Sequence, residues 1–257
     1  MMNQMFNPRR FYLLTRNTVW LNTSRILLVA GAVATLVILF SGLSAFRQTG
    51  DRLHVVLYAF FLFVSGILVT SKTFRNLRDV TSAGAWLTLP ASIFEKFTSR
   101  LFLTSFGYVI ATGLIYFIIS ALSEGINRLL FGYSHPLFNP FSRGVWIPAA
   151  VYLVLQSVFL VGSIYFRRFA FVKTMLFLSL LSLALIIFFF LTLKIIWWGQ
   201  FNTLTEYGMQ IAWNMFSSDW LMQLRYTLTH MLGTLFWVIL APFCWAISYF
   251  RLKEFEA

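Results

Sequence analysis

Apolar residues fall in long runs along this chain, and polar residues gather between them. Six runs are close to the twenty residues that a helix needs to cross a bilayer. They predict spans at Ile26–Phe46, Leu53–Thr70, Leu101–Leu122, Trp146–Phe166, Met175–Trp198 and Leu228–Phe250. Barrel strands would alternate over short segments, and no such alternation occurs. The fold class expected is therefore an all-α integral membrane protein with six transmembrane helices in a single domain, 1–257.

Three stretches do not fit a span. Residues 1–25 are basic and aromatic, with Phe6, Phe11, Tyr12 and Trp20, and predict a helix on the cytoplasmic interface. Residues 199–227 carry Leu204, Tyr207, Ile211 and Met215 on one helical face and Glu206, Gln210 and Asn214 on another. Ser217-Ser218-Asp219 then offers a break and an N-cap. This predicts short outer helices between spans 5 and 6. The third stretch, 71–100, is a connector far longer than a chain reversal requires.

Composition supports the membrane class. The 257 residues are 59% hydrophobic and only 11% charged, where a soluble domain is about a quarter charged. A net charge of +12 raises nucleic acid as a partner, but basic residues facing anionic lipid explain it better. Of the 20 Lys and Arg, only Arg47, Arg52, Arg128, Arg143, Lys194 and Arg225 fall on one side of the six-span scheme. That bias predicts both termini in the cytoplasm.

No Asp or Glu lies within the six predicted spans, which argues against an ion-driven carrier. No nucleophile elbow, zinc-protease pair or phosphate-binding loop occurs, so no enzymatic activity is expected and no cofactor is assigned to this chain. Cys244 stands alone inside an apolar run. Gly42-Leu43-Ser44 reads as a small-residue packing patch. The loop from Tyr133 to Pro140 reads as a stiff turn without chemistry, and Pro148 and Pro242 fall inside spans. His54, His135 and His230 share the outer side with Met209, Met215, Met222 and Met231. Thioether and imidazole suit Cu(I), so copper handling is one alternative reading; ordinary packing is the commoner role for such residues.

The connector carries the most specific pattern. Lys72, Arg75 and Arg78 follow span 2 at helical spacing, with Asp79 beside them. Thr81-Ser82-Ala83-Gly84 breaks the helix, and Trp86, Leu87 and Leu89 then form an apolar patch outside any span. Pro90 opens the next helix, which passes through Glu95 and Lys96 into span 3. Leu89-Pro90, Ser92, Glu95 and Arg100 resemble a pattern in the membrane subunits of type-2 ABC exporters. Ile93 and Ser99 depart from that pattern, which often has a basic residue and a glycine there. The six-span layout resembles the family as well.

The resemblance implies a permease subunit that forms a translocation path as a dimer with a second permease subunit. It implies a coupling element seated on a separate ATPase subunit, which binds ATP and Mg. The coupling residues would be Arg75, Arg78, Asp79, Trp86, Leu89, Pro90, Ser92, Glu95, Lys96 and Arg100. The plain alternative is a six-span scaffold or assembly protein that transports nothing.

Overall fold

A computed structural model of the chain describes residues 6–47, 52–75, 84, 91–166, 168–196 and 219–254. Among them every regular element is a helix: α1 Pro8–Phe46, α2 Leu53–Ser71, α3 Ile93–Thr104, α4 Phe106–Phe131, α5 Arg143–Tyr165, α6 Ala170–Ile196 and α7 Asp219–Glu254. Six stretches are long and apolar enough to cross a membrane, with α3 and α4 together making the third. This is the architecture of a six-span integral membrane protein.

The first helix starts where Asn7 caps it, its side chain accepting from the Arg9 N–H at 3.0 Å, and Pro8 fills the opening turn. It then runs 39 residues without a break, about 58 Å at 1.5 Å per residue. The expected interfacial segment is thus helical, but it is continuous with the first span. Thr15, Thr18, Asn22 and Thr23 do not interrupt it. Each turns its side chain back onto the carbonyl one turn earlier, so these polar residues stay within the helical backbone.

The third span is jointed. Helix α3 ends at Thr104, Ser105 leaves helical geometry at φ −107° and ψ −101°, and α4 begins at Phe106. Tyr152 Oη on α5 donates to the Thr104 carbonyl at 2.8 Å, and Gln156 Nε2 donates to Thr104 Oγ1 at 2.9 Å. The Thr104 carbonyl is therefore satisfied from α5, while the Ser105 N–H and Oγ both still donate to the Leu101 carbonyl of α3. At the far end Gly132, with φ 65°, closes α4.

Helix α1 lies along α3 and α4 in parallel. Asn7 meets Glu95, Thr15 meets Ser99, and Ser41 meets Glu124 and Asn127. The offset between partners stays within 83 to 88 residues from end to end. That constancy fixes one register over both long helices.

Helix α5 is the centre of the bundle, the most buried of the six spans, and α6 is the most exposed. One core cluster gathers Tyr58, Leu62, Tyr116, Ile119, Phe138 and Tyr152. A second gathers Phe74, Phe97, Leu160, Ile164 and Leu252 at the end where α3 starts and α7 finishes. Pro148 and Pro242 sit inside α5 and α7. Helix α7 already begins at Asp219, so residues 219–227 belong to the last long helix and not to a separate outer one. Residues 197–218 lie outside the described residues.

Candidate functional site

The connector between α2 and α3 stands on two aromatic feet. Phe74 is 2% exposed and stacks on Phe97, with ring centroids 6.5 Å apart and planes 10° from parallel. Tyr249 of α7 packs its edge on Phe97 at 5.7 Å. Residues leaving α2 and residues entering α3 are thereby held on one buried cluster.

The first turn of α3 is a reciprocal cap. The Glu95 N–H donates to Ser92 Oγ at 3.2 Å, and the Ser92 N–H donates to Glu95 Oε2 at 2.9 Å. The other carboxylate oxygen, Oε1, accepts from the Asn7 N–H at 2.6 Å. Glu95 is fully buried and Lys96 nearly so. Of the coupling residues that the resemblance implies, these two are therefore turned into the protein and away from its surface. The cap motif itself predicts why: a Glu three residues after an N-cap Ser folds back onto the backbone. Arg75 is exposed, and Ser92 and Arg100 are half-buried. Arg78, Asp79, Trp86, Leu89 and Pro90 lie outside the described residues.

A second cluster occupies the opposite end of the bundle, and the sequence reading missed it. Glu124 is 4% exposed inside α4. Its Oε1 accepts from Ser41 Oγ at 2.5 Å, His54 Nε2 at 2.8 Å and Asn127 Nδ2 at 3.1 Å. Its Oε2 accepts from the His135 N–H at 2.6 Å, with His135 Nδ1 3.4 Å away. Asn127 Nδ2 also reaches Ser41 Oγ at 2.7 Å, and His54 Nδ1 lies 3.3 Å from Tyr116 Oη. One carboxylate thus ties together α1, α2, α4 and the loop after α4.

Two expectations change here. The acid-free predicted span is not the whole helix, because α4 runs on past Leu122 to Phe131 and carries Glu124, buried, into the bundle. The Tyr133–Pro140 loop is more than a turn, because His135 bonds Glu124 and Phe138 is buried on Tyr58 and Tyr116. The signal was present in the sequence. Gly113, Tyr116, Ser120, Ser123, Glu124 and Asn127 recur at three- and four-residue steps, a small and polar stripe on an otherwise apolar helix, and all are buried.

A buried carboxylate needs compensation. With Nε2–H directed at the carboxylate, His54 accepts from Tyr116 at Nδ1 or, when protonated, supplies the opposite charge. Among the described residues no three His, Cys, Asp or Glu side chains form a group that could hold a metal ion. Met209 and Met215 lie outside the described residues, as does the side chain of His230. Cys244 is buried and unpaired. Gly42 packs toward Asn127 and Phe131, as its small-residue patch predicts.

No family model, curated protein or solved structure matches the chain.

Proposed function

We propose that this chain is the permease subunit of an ATP-driven exporter of the type-2 ABC kind, paired with a second permease subunit and driven by a separate ATPase. ATP and Mg belong to that partner. Both termini and the connector face the cytoplasm of a bacterial inner membrane in this reading.

One observation carries it. The two feet of the connector, Phe74 and Phe97, rest on each other in the second core cluster, and α3 starts from a capping box. Force applied to the connector is therefore delivered into α2, α3 and α7 together. Glu95 extends the path to α1 through Asn7. A coupling element needs such a foundation. Glu95 and Lys96 serve that foundation, and the partner contacts fall to Arg75 and to Arg78, Trp86 and Leu89.

Glu124 favours a second reading, an ion-coupled carrier, because such proteins keep an ionisable group inside the bundle. Its oxygens already accept from Ser41, His54, Asn127 and His135. That saturation ranks the reading second.

Purification in mild detergent together with candidate stand-alone ATPases separates the readings. The exporter reading expects a stable complex with membrane-bound ATPase activity, weakened by about 2 kcal/mol or more in Trp86→Ala. A chain that elutes alone while every ATPase stays soluble removes its support.

A further inference from the structure

A groove of about 530 Å³ runs along the first turns of α1, lined by Arg10, Leu13, Leu14, Arg16, Asn17 and Trp20 and closed at one side by Ala91. We propose that it binds the headgroup of an anionic phospholipid.

Depth comes first. Thr15 Oγ1 lies 3.0 Å from Ser99 Oγ, which sets Arg16 level with Arg100. Asn7 is level with Glu95, and the Phe74–Phe97 stack brings Lys72 and Arg75 to the same height. The groove therefore lies where basic side chains of three elements gather at the edge of the apolar bundle. That is headgroup level.

Charge comes second. The first acidic residue of the whole chain is Asp51, so α1 offers no carboxylate of its own. The acid nearest in register is Glu95, which is buried and bonded to Asn7 and Ser92. Among the described residues the ion pairs belong to Glu124 and Glu254. Arg10 and Arg16 are exposed and have no carboxylate partner there. Two exposed guanidinium groups with no carboxylate partner among the described residues are open to an external anion, and a phosphodiester accepts from them with matched geometry.

Shape decides the source. Going from the helix start toward the membrane, the order is Arg10, then Leu13 and Leu14, then Arg16 and Asn17, then Trp20. The arginines flank the leucines, so a phosphate held at their guanidinium groups leaves the acyl chain to lie over Leu13 and Leu14 and run on toward Trp20, which is 76% exposed. Trp prefers this interfacial depth. A free phosphate would leave the apolar part of the groove unused.

The test uses the full chain in nanodiscs of phosphatidylcholine doped with brominated lipid. Bromine quenches nearby Trp emission, and the difference between wild type and Trp20→Phe isolates Trp20 from the other Trp residues. Brominated phosphatidylglycerol should quench that signal more than brominated phosphatidylcholine at equal mole fraction. The preference should fall about fivefold for each arginine lost in Arg10→Gln and Arg16→Gln. The Lys variants should keep most of it. Both arginines are exposed, so these variants should fold. Equal quenching by the two lipids, or a preference that survives the double Gln variant, overturns the proposal. Loss of the preference on adding inorganic phosphate overturns it too, by showing a soluble-anion site.

Discussion

The Asn7 N–H donates to Glu95 Oε1 across 2.6 Å and joins the first turn of α1 to the first turn of α3, 88 residues later. Glu95→Ala removes the acceptor for both Asn7 and Ser92. Each buried donor left without a partner costs about 1–3 kcal/mol. Asn7 is only half-buried, so the lower part of that range is expected. Thermal unfolding of the purified protein in detergent measures it. Glu95→Gln, which keeps an acceptor, should lose less. An unchanged melting temperature for Glu95→Ala would show that the contact contributes nothing.

Glu124→Ala should cost more, about 3–5 kcal/mol, because it strands imidazole, hydroxyl and amide donors that converge on one carboxylate. Ser41→Ala should cost about 1 kcal/mol. A double-mutant cycle between the two should return a coupling of about 0.5–3 kcal/mol. Strict additivity would mean that Ser41 and Glu124 do not act on each other.

Two glycines set helix approach. A Cβ on Gly66 would fall 2.4 Å from Tyr152 Cε2 and 2.8 Å from Tyr108 Cε1, and one on Gly162 would fall 2.0 Å from Thr174 Oγ1. Gly66→Ala and Gly162→Ala should each destabilise by about 1–3 kcal/mol. Thr174→Ala should recover part of the second loss. Gly31→Ala meets nothing within 4 Å and should be close to neutral or mildly stabilising, as a helix former replacing glycine. Equal melting points for all three Ala variants would contradict the packing.

Sidedness is open to labelling. With Cys244 replaced, a cysteine at Ser82 should react only from the cytoplasm and one at Asn139 only from outside. Labelling of both in intact cells by an impermeant reagent would break the six-span arrangement.

The six spans were legible because a bilayer demands long apolar runs, and little else produces them. The joint at Ser105 was not. Ser and Thr are ordinary inside a membrane helix, and the partners that meet Thr104 at the break, Tyr152 and Gln156, come from about fifty residues further on. Glu124 was legible in part. It falls two residues past the predicted end of span 3, and hydropathy alone assigns it to a connector. Only the stripe of Gly113, Tyr116, Ser120 and Asn127 indicates that α4 carries its buried face beyond the apolar run. Ser92 and Glu95 were found as a pattern, but their burial follows from Asn7, which no local spacing brings near.

Helix α1 is unbroken where its parallel neighbour is jointed at Ser105. Two rods side by side, one solid and one articulated, act as a limb and its splint. The articulated rod flexes only if the solid one slides along it. Polar contacts at both ends, Asn7 to Glu95 and Ser41 to Glu124, oppose that sliding. With Thr15 on Ser99 between them, a bend at Ser105 has to break at least one of these polar contacts first.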